Sequence, residues 1–149
     1  MASRYGLQIR AASGADAPGI AELMEAAGHH VDVATIGTRL EAFRHEAGVA
    51  LLALEWGPPS GLIVLNWYRT LSADLAVAQI STLLVAPDDR RRGIGRMLLK
   101  AGAQAARSAG CGTLYVSAVP SEPSLAAFCI AAGFSESGTF FARPLRKKV

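Results

Sequence analysis

The sequence lacks the residue patterns that mark several common classes of protein. Its 2 cysteines, Cys111 and Cys129, do not form a CxxC pair, so we expect neither a disulfide framework nor a thiolate metal site. No set of His, Cys, Asp and Glu has metal-ligand spacing, and no Gly-x-Ser-x-Gly motif occurs. No apolar run approaches the roughly 18 residues that span a bilayer, and the first ten residues lack the apolar core of a signal peptide. We therefore expect a cytoplasmic protein with no membrane partner and no metal ion.

Positive charge is modest and unevenly placed. The net charge is +3, yet Arg90, Arg91 and Arg92 are consecutive, and residues 146–148 are all basic. A nucleic-acid surface would need a broader basic face with interleaved aromatic residues, and aromatic residues make up only 7% of the chain. We expect no nucleic-acid partner, and we interpret the basic tail as a solvated terminus. The arginine-rich, lysine-poor composition favours a bacterial source.

The length of 149 residues and the apolar fraction of 51% suit a single folded domain over residues 1–149. Hydrophobic periodicity predicts the order β-α-α-β-β-β-α-β-α-β-β. The predicted strands are 5–11, 49–56, 62–68, 76–85, 113–119, a short strand that begins at 133–134, and 139–143. The predicted helices are one capped by Ser13 or Asp16, with Pro18 in its first turn, that ends at Gly28, one over 33–46, one from Gly93 to about Gly110, and one over 123–132. This order indicates an α/β fold with a mixed, twisted and mostly antiparallel sheet of about seven strands and about four helices on both faces.

The stretch 83–99 joins an apolar strand to a helix through a basic turn that contains Gly93 and Gly95. The unpaired N–H groups of a helical first turn, together with the helix dipole, attract anions. Glycines let a phosphate approach the backbone, and arginines add fork-shaped donors for its oxygens. The stretch is therefore predicted to bind a pyrophosphate.

The pattern Arg90-x-x-Gly93-x-Gly95, between a strand and an amphipathic helix, resembles the acetyl-CoA loop of the GNAT family of N-acetyltransferases. The signature of that family is Arg/Gln-x-x-Gly-x-Gly/Ala, and the predicted element order also matches, so the resemblance covers nearly the whole chain. It implies a GNAT-like fold and transfer of an acetyl group from acetyl-CoA to a primary amine by direct attack. The acceptor is a small molecule or a peptide, and a homodimer is compatible with the family.

The resemblance also implies a set of cofactor contacts. The pantetheine arm would lie along the end of the fourth strand, where a backbone N–H near Leu83 polarises the thioester. The cofactor-binding residues implied are Leu83, Leu84, Val85, Arg90, Arg91, Arg92, Gly93, Ile94, Gly95, Arg96, Ser121, Ser124 and Phe128.

The catalytic positions depart from the family pattern. Gln79 and Ser81 stand where many relatives have Glu or His, and neither side chain is a competent base. Their period-2 spacing predicts that they share a face with Leu83 and Val85. Cys129 stands where relatives often have the Tyr that protonates the leaving sulfur. A thiol can donate a proton, although the apolar stripe around Cys129 favours a packing role.

The acceptor site is suggested by position alone. His29 and His30 lie between the first two helices, the region that shapes the acceptor pocket in the family, and Tyr68 flanks the early hairpin. Because the Glu or His and the Tyr of many relatives are absent at these positions, an alternative function is a CoA-binding sensor or regulatory module without turnover. A nicotinamide-dinucleotide domain is disfavoured because Leu98 occupies the third glycine position of that fingerprint.

Overall fold

The computed structural model describes residues 6–90, 92–117 and 123–146, in two compact units, Met1–Val116 and Ser117–Val149. The helices and strands of the first unit are β1 (Gln8–Ala11), α1 (Ala17–Ala26), α2 (Val33–Phe43), β2 (Gly48–Leu54), β3 (Gly61–Tyr68), β4 (Ala76–Val85), α3 (Ile94–Ser108) and β5 (Cys111–Val116). The second unit contains α4 (Pro123–Ala131). The four predicted helices are thus confirmed, and each begins within a turn of its predicted start.

One sheet of five strands, in the order β1-β2-β3-β4-β5, organises the first unit. The pairs from β1 to β4 are antiparallel, whereas β5 runs parallel to β4. Parallel neighbours need a crossover connection, and α3 provides it. The predicted mixed, mostly antiparallel sheet is therefore confirmed.

Helices cover both faces of this sheet. Ile20 and Leu23 of α1 and Ile36 of α2 pack with Leu52 and Leu62 on one face. On the other face, α3 lies so close to β3 that a Cβ on Gly61 would sit 2.7 Å from Leu98 Cδ1. The sheet is thus the middle layer of an α/β/α arrangement, with α1 and α2 opposite α3.

A β-bulge interrupts β4 at Ser81. Leu65 of β3 pairs with Ile80, but the next residue, Val64, pairs with Thr82, so Ser81 is one residue more than the ladder requires. Paired residues share a face, so the bulge shifts the alternation along β4 by one position. Gln79 consequently lies on the α1–α2 face, opposite to Leu83 and Val85, and the prediction of a common face is wrong.

The described residues form five strands, and the prediction of about seven is also wrong. No strand is present over 134–146, where two short strands were expected. Gly133, with φ +97°, ends α4, and the Phe134 N–H donates to the Cys129 carbonyl at 2.9 Å instead of entering a ladder. Phe140 and Phe141 are adjacent and both exposed, so no single face of this segment collects its apolar side chains. The apolar residues of this segment therefore do not form the two strands that their pattern predicted.

No helix in the described ranges is both long enough and apolar enough to cross a membrane.

Candidate functional site

The end of β4 has an edge to which no strand of the described residues pairs. Pairing between β4 and β5 ends at Ile80 and Val116, while β4 continues beside β3 as far as Val85. The Ala86 N–H donates to the Ser60 carbonyl at 2.8 Å, which fixes the side of the chain that faces β3.

Because backbone polar groups alternate sides along a strand, the N–H and C=O groups of Leu83 and Val85 point away from β3. No described strand pairs with them there. Leu84, in contrast, packs against the core of the α1–α2 face. An extended polar chain can thus hydrogen-bond to Leu83 and Val85 as an added strand would.

This edge leads into the N-terminus of α3. Gly93 is the N-cap residue, in the left-handed region at φ +80°, and it makes no side-chain cap. The first helical hydrogen bond runs from the Met97 N–H to the Gly93 carbonyl at 3.0 Å, so the N–H groups of Ile94, Gly95 and Arg96 precede the helical ladder. The space beside Gly93 is open, since no atom of the described residues other than its chain neighbours lies within 4 Å of where a Cβ would be. The turn therefore presents a set of backbone donors, as an anion site requires.

The arginines of this turn differ in their surroundings. Arg90 and Arg96 are exposed, and Arg91 lies outside the described residues. Arg92 is held by two carboxylates, since its Nη2 lies 2.7 Å from Glu55 Oε1 and its Nη1 lies 2.7 Å from Asp89 Oδ1. The hydrogen bond to Glu55, and then that to Asp89, raises the pKa of Arg92.

Polar side chains form a row across three strands on the α1–α2 face. Gln79 pairs with Asn66 of β3 on one side and with Tyr115 of β5 on the other. Tyr68 lies two residues after Asn66 and so shares this face. The sequence did not predict that Tyr115 lies beside Gln79, because no local pattern determines the register of β5 on β4. We call Asn66, Tyr68, Gln79 and Tyr115 the polar row.

Ser81 and the histidines predicted for catalysis or acceptor binding have other contacts. The Ser81 hydroxyl, on the bulge, donates to the Val64 carbonyl at 3.4 Å. His30 Nδ1 lies 2.6 Å from Glu25 Oε1, and this hydrogen bond raises the pKa of the exposed imidazole. His29 is exposed in the same connection between α1 and α2.

In the second unit, α4 carries Ser124, Phe128 and Cys129, of which Ser124 is exposed and Phe128 is half-buried. Cys129 is a buried free thiol, and burial raises its pKa, which makes it a weaker acid. Ser121 lies outside the described residues.

The β4 edge, the donor-rich turn and the polar row together offer backbone donors and acceptors, helical N–H groups and polar side chains. The profile of the Acetyltransferase (GNAT) family matches residues 20–134, and the chain therefore belongs to this family. It is an acetyltransferase domain, and the family generally uses acetyl-CoA as acyl donor. No curated protein matches the sequence.

Solved structures of low sequence identity share the fold. A transcriptional regulator from Bacillus halodurans is 15% identical with a TM-score of 0.85, covering 93% of this chain and 99% of its own. Glucosamine-6-phosphate N-acetyltransferase from Arabidopsis thaliana is 15% identical with a TM-score of 0.81, covering 94% and 99%. An aminoglycoside acetyltransferase from an uncultured soil metagenomic sample, solved with sisomicin, is 18% identical with a TM-score of 0.77, covering 95% and 97%.

Proposed function

We propose that the protein transfers an acetyl group from acetyl-CoA to a primary amine by direct attack. The observation that carries this proposal is the continuity of two binding elements. The outward-facing backbone groups of Leu83 and Val85 at the end of β4 are followed along the chain by the unpaired N–H groups at the start of α3.

The residues present fit acetyl-CoA. Leu83 and Val85 offer donors and acceptors for the amide-bearing pantetheine arm, and the N-terminus of α3 offers N–H groups and a positive dipole end for the pyrophosphate. The side chain of Ile94 is buried, so its contribution is its N–H alone. Exposed Arg90 and Arg96 add positive charge. Acetyl-CoA supplies the activated acetyl thioester, and the Leu83 N–H is suited to stabilise negative charge that develops on its carbonyl oxygen.

The polar row suits the acceptor. Its amide and phenol groups can orient an amine by hydrogen bonds, but none of them holds a proton as a base at neutral pH. An alkylammonium of pKa near 10.4 is neutral in only about one molecule in a thousand at pH 7. The proton would therefore pass to ordered water or to a residue outside the usual positions, and catalysis rests on positioning. His29 and His30 stay predicted acceptor contacts, and Cys129 stays a predicted acid.

The test is an assay of acetyl-CoA binding by calorimetry together with thiol release across a panel of amines. The panel includes aminoglycosides, amino sugars, polyamines and peptide N-termini. We expect binding of acetyl-CoA and amine-dependent release of CoA. A purified, folded protein that does not bind acetyl-CoA would refute the proposal.

A second function is favoured by one observation. Gln79 and buried Cys129 occupy the positions where relatives carry the base and the acid. A CoA-binding sensor or regulatory module would bind acetyl-CoA without releasing thiol for any amine. Turnover with one amine at a rate well above hydrolysis removes this alternative.

The biological setting is also proposed here. We infer a homodimer in the cytoplasm of a bacterium, on the family resemblance and on composition. Light scattering coupled to size-exclusion chromatography tests the dimer directly.

A further inference from the structure

One arginine before α3, Arg92, already donates to two carboxylates. Of the ion pairs in the described part of the chain, the one at Arg92 is shared between two carboxylates on separate segments. Glu55 follows β2 directly, and its side chain is only 14% exposed. Asp89 ends the short 3-10 turn Pro87–Asp89 that follows β4.

Two contacts between described residues join the β2–β3 turn, residues 55–60, to the segment that follows β4. The first link is the hydrogen bond from the Ala86 N–H to the Ser60 carbonyl, at the start of the segment. The second, Arg92 to Glu55, lies at its end, next to the Gly93 cap. Ala86 and Arg92 are thus each bonded to this β2–β3 turn.

Release of Arg92 toward a phosphate would be unfavourable. Each terminal nitrogen of its guanidinium already donates one N–H to a carboxylate oxygen at 2.7 Å. Withdrawing them would leave the partly buried Glu55 carboxylate and Asp89 without their cation, close to an incoming polyanion. Arg92 therefore acts better by neutralising these carboxylates than by contacting the ligand.

We propose that Arg92 is a positioning residue of the cofactor turn, held by Glu55 and Asp89, and that it does not itself bind the phosphates of acetyl-CoA. This inference rests on the proposed function, since it concerns the same ligand. By this inference Glu55, which lies outside the family pattern, contributes to the affinity for the cofactor by holding Arg92.

The test compares the Kd of CoA for the parent protein, Glu55→Gln and Glu41→Gln. Glu41 pairs with Arg44 at 3.4 Å on exposed α2, so Glu41→Gln makes the same charge change at an unrelated ion pair. We expect Glu55→Gln to raise the Kd about three- to tenfold, because the turn loses its second link. Glu41→Gln should leave it unchanged. If Arg92 were a phosphate ligand restrained by Glu55, Glu55→Gln would free it and lower the Kd; that result, or no change, overturns the inference.

Two further measurements separate positioning from general damage to the fold. Arg92→Lys keeps the charge but loses the planar fork that bridges two carboxylates, so it should weaken CoA binding as Glu55→Gln does. Pantetheine lacks the phosphates, so its Kd should be the same for the parent and both variants. An equal loss for pantetheine and CoA contradicts the inference. A parent that binds no CoA overturns the proposed function and this inference together, whereas a binding parent with unaffected variants overturns this inference alone.

Discussion

Asp16 shows how one residue joins two elements of the first unit. Its carboxylate accepts hydrogen bonds from the Arg10 guanidinium of β1 at 2.8 and 2.7 Å and from the Ser13 N–H at 2.8 Å. The hydrogen bonds from Arg10, more than any other contact, lower the pKa of Asp16 from 3.8 to about 2. The ionised carboxylate thus ties β1 to the start of α1.

Stability is expected to depend on pH through this group. The pKa of Asp16 is lower in the folded state than in the unfolded state. Its contribution to the free energy of unfolding is therefore complete above the unfolded pKa and is lost between about pH 5 and pH 2. Asp16→Asn should lower the free energy of unfolding by about 1–2 kcal/mol at pH 7, since Arg10 is partly solvated, and by much less near pH 2. Urea unfolding of both proteins across this pH range measures the difference. A difference that is constant with pH would contradict the assignment.

Gln79 tests the chemistry of the polar row. With no base in the row, kcat/KM for the amine should rise about tenfold per pH unit from pH 6.5 to 8.5, following the neutral amine. Gln79→Glu supplies a carboxylate that can take the proton, so its profile should flatten over this range.

The matched variant is Gln79→Ala. It should lower kcat/KM about three- to tenfold through a lost hydrogen bond, keep the pH slope, and leave the Kd of CoA unchanged. A parent profile that is already flat between pH 6.5 and 8.5 would show that another group is the base.

At the scale of elements, the sequence predicted what depends on local pattern. The starts of α1, near Pro18, and of α3, after Gly93, could be predicted because a proline in a first turn and a glycine before an apolar stripe act locally. The bulge at Ser81 was not readable, since its position depends on which residues of β3 pair with β4. The neighbours of Gln79 were missed for the same reason. Strand register is a non-local property, and the candidate site depends on it.

The close packing of α3 against β3 predicts that added side-chain volume between them is destabilising. A Cβ on Gly61 would lie 2.7 Å from Leu98 Cδ1, 3.0 Å from the Leu84 carbonyl oxygen and 3.1 Å from Ile94 Cγ2. Gly61→Ala should therefore lower the free energy of unfolding by about 1–3 kcal/mol. Because Ile94 is the first residue of α3, the variant should also raise the Kd of CoA.

Gly37→Ala is the control for this packing. Gly37 lies inside α2, with its nearest neighbour for a Cβ, Ala17 Cβ, at an ordinary 3.9 Å. Better helix propensity should stabilise this variant by up to about 1 kcal/mol. Denaturant midpoints of the two variants should therefore move in opposite directions, and a shared direction would argue against the close approach.

At the scale of the whole molecule, binding and stability are linked. A ligand at 100 times its Kd raises the free energy of unfolding by about 2.7 kcal/mol. Acetyl-CoA should therefore raise the melting temperature by roughly 5–10 °C for a chain of this size, and NAD at the same concentration should not. Hydrogen exchange should show new protection at the amides of Leu83, Val85 and 94–96. Equal stabilisation by NAD would restore the dinucleotide interpretation.

The unpaired edge of β4 also bears on solubility. A short apolar strand with free backbone groups is a template for pairing with another chain, and proteins usually shield such edges with charge or a covering segment. In the proposed complex with acetyl-CoA, the pantetheine arm would cover Leu83 and Val85 and so shield this edge. The ligand would then protect against aggregation as well as serve as substrate. The protein should therefore aggregate less with acetyl-CoA than without it.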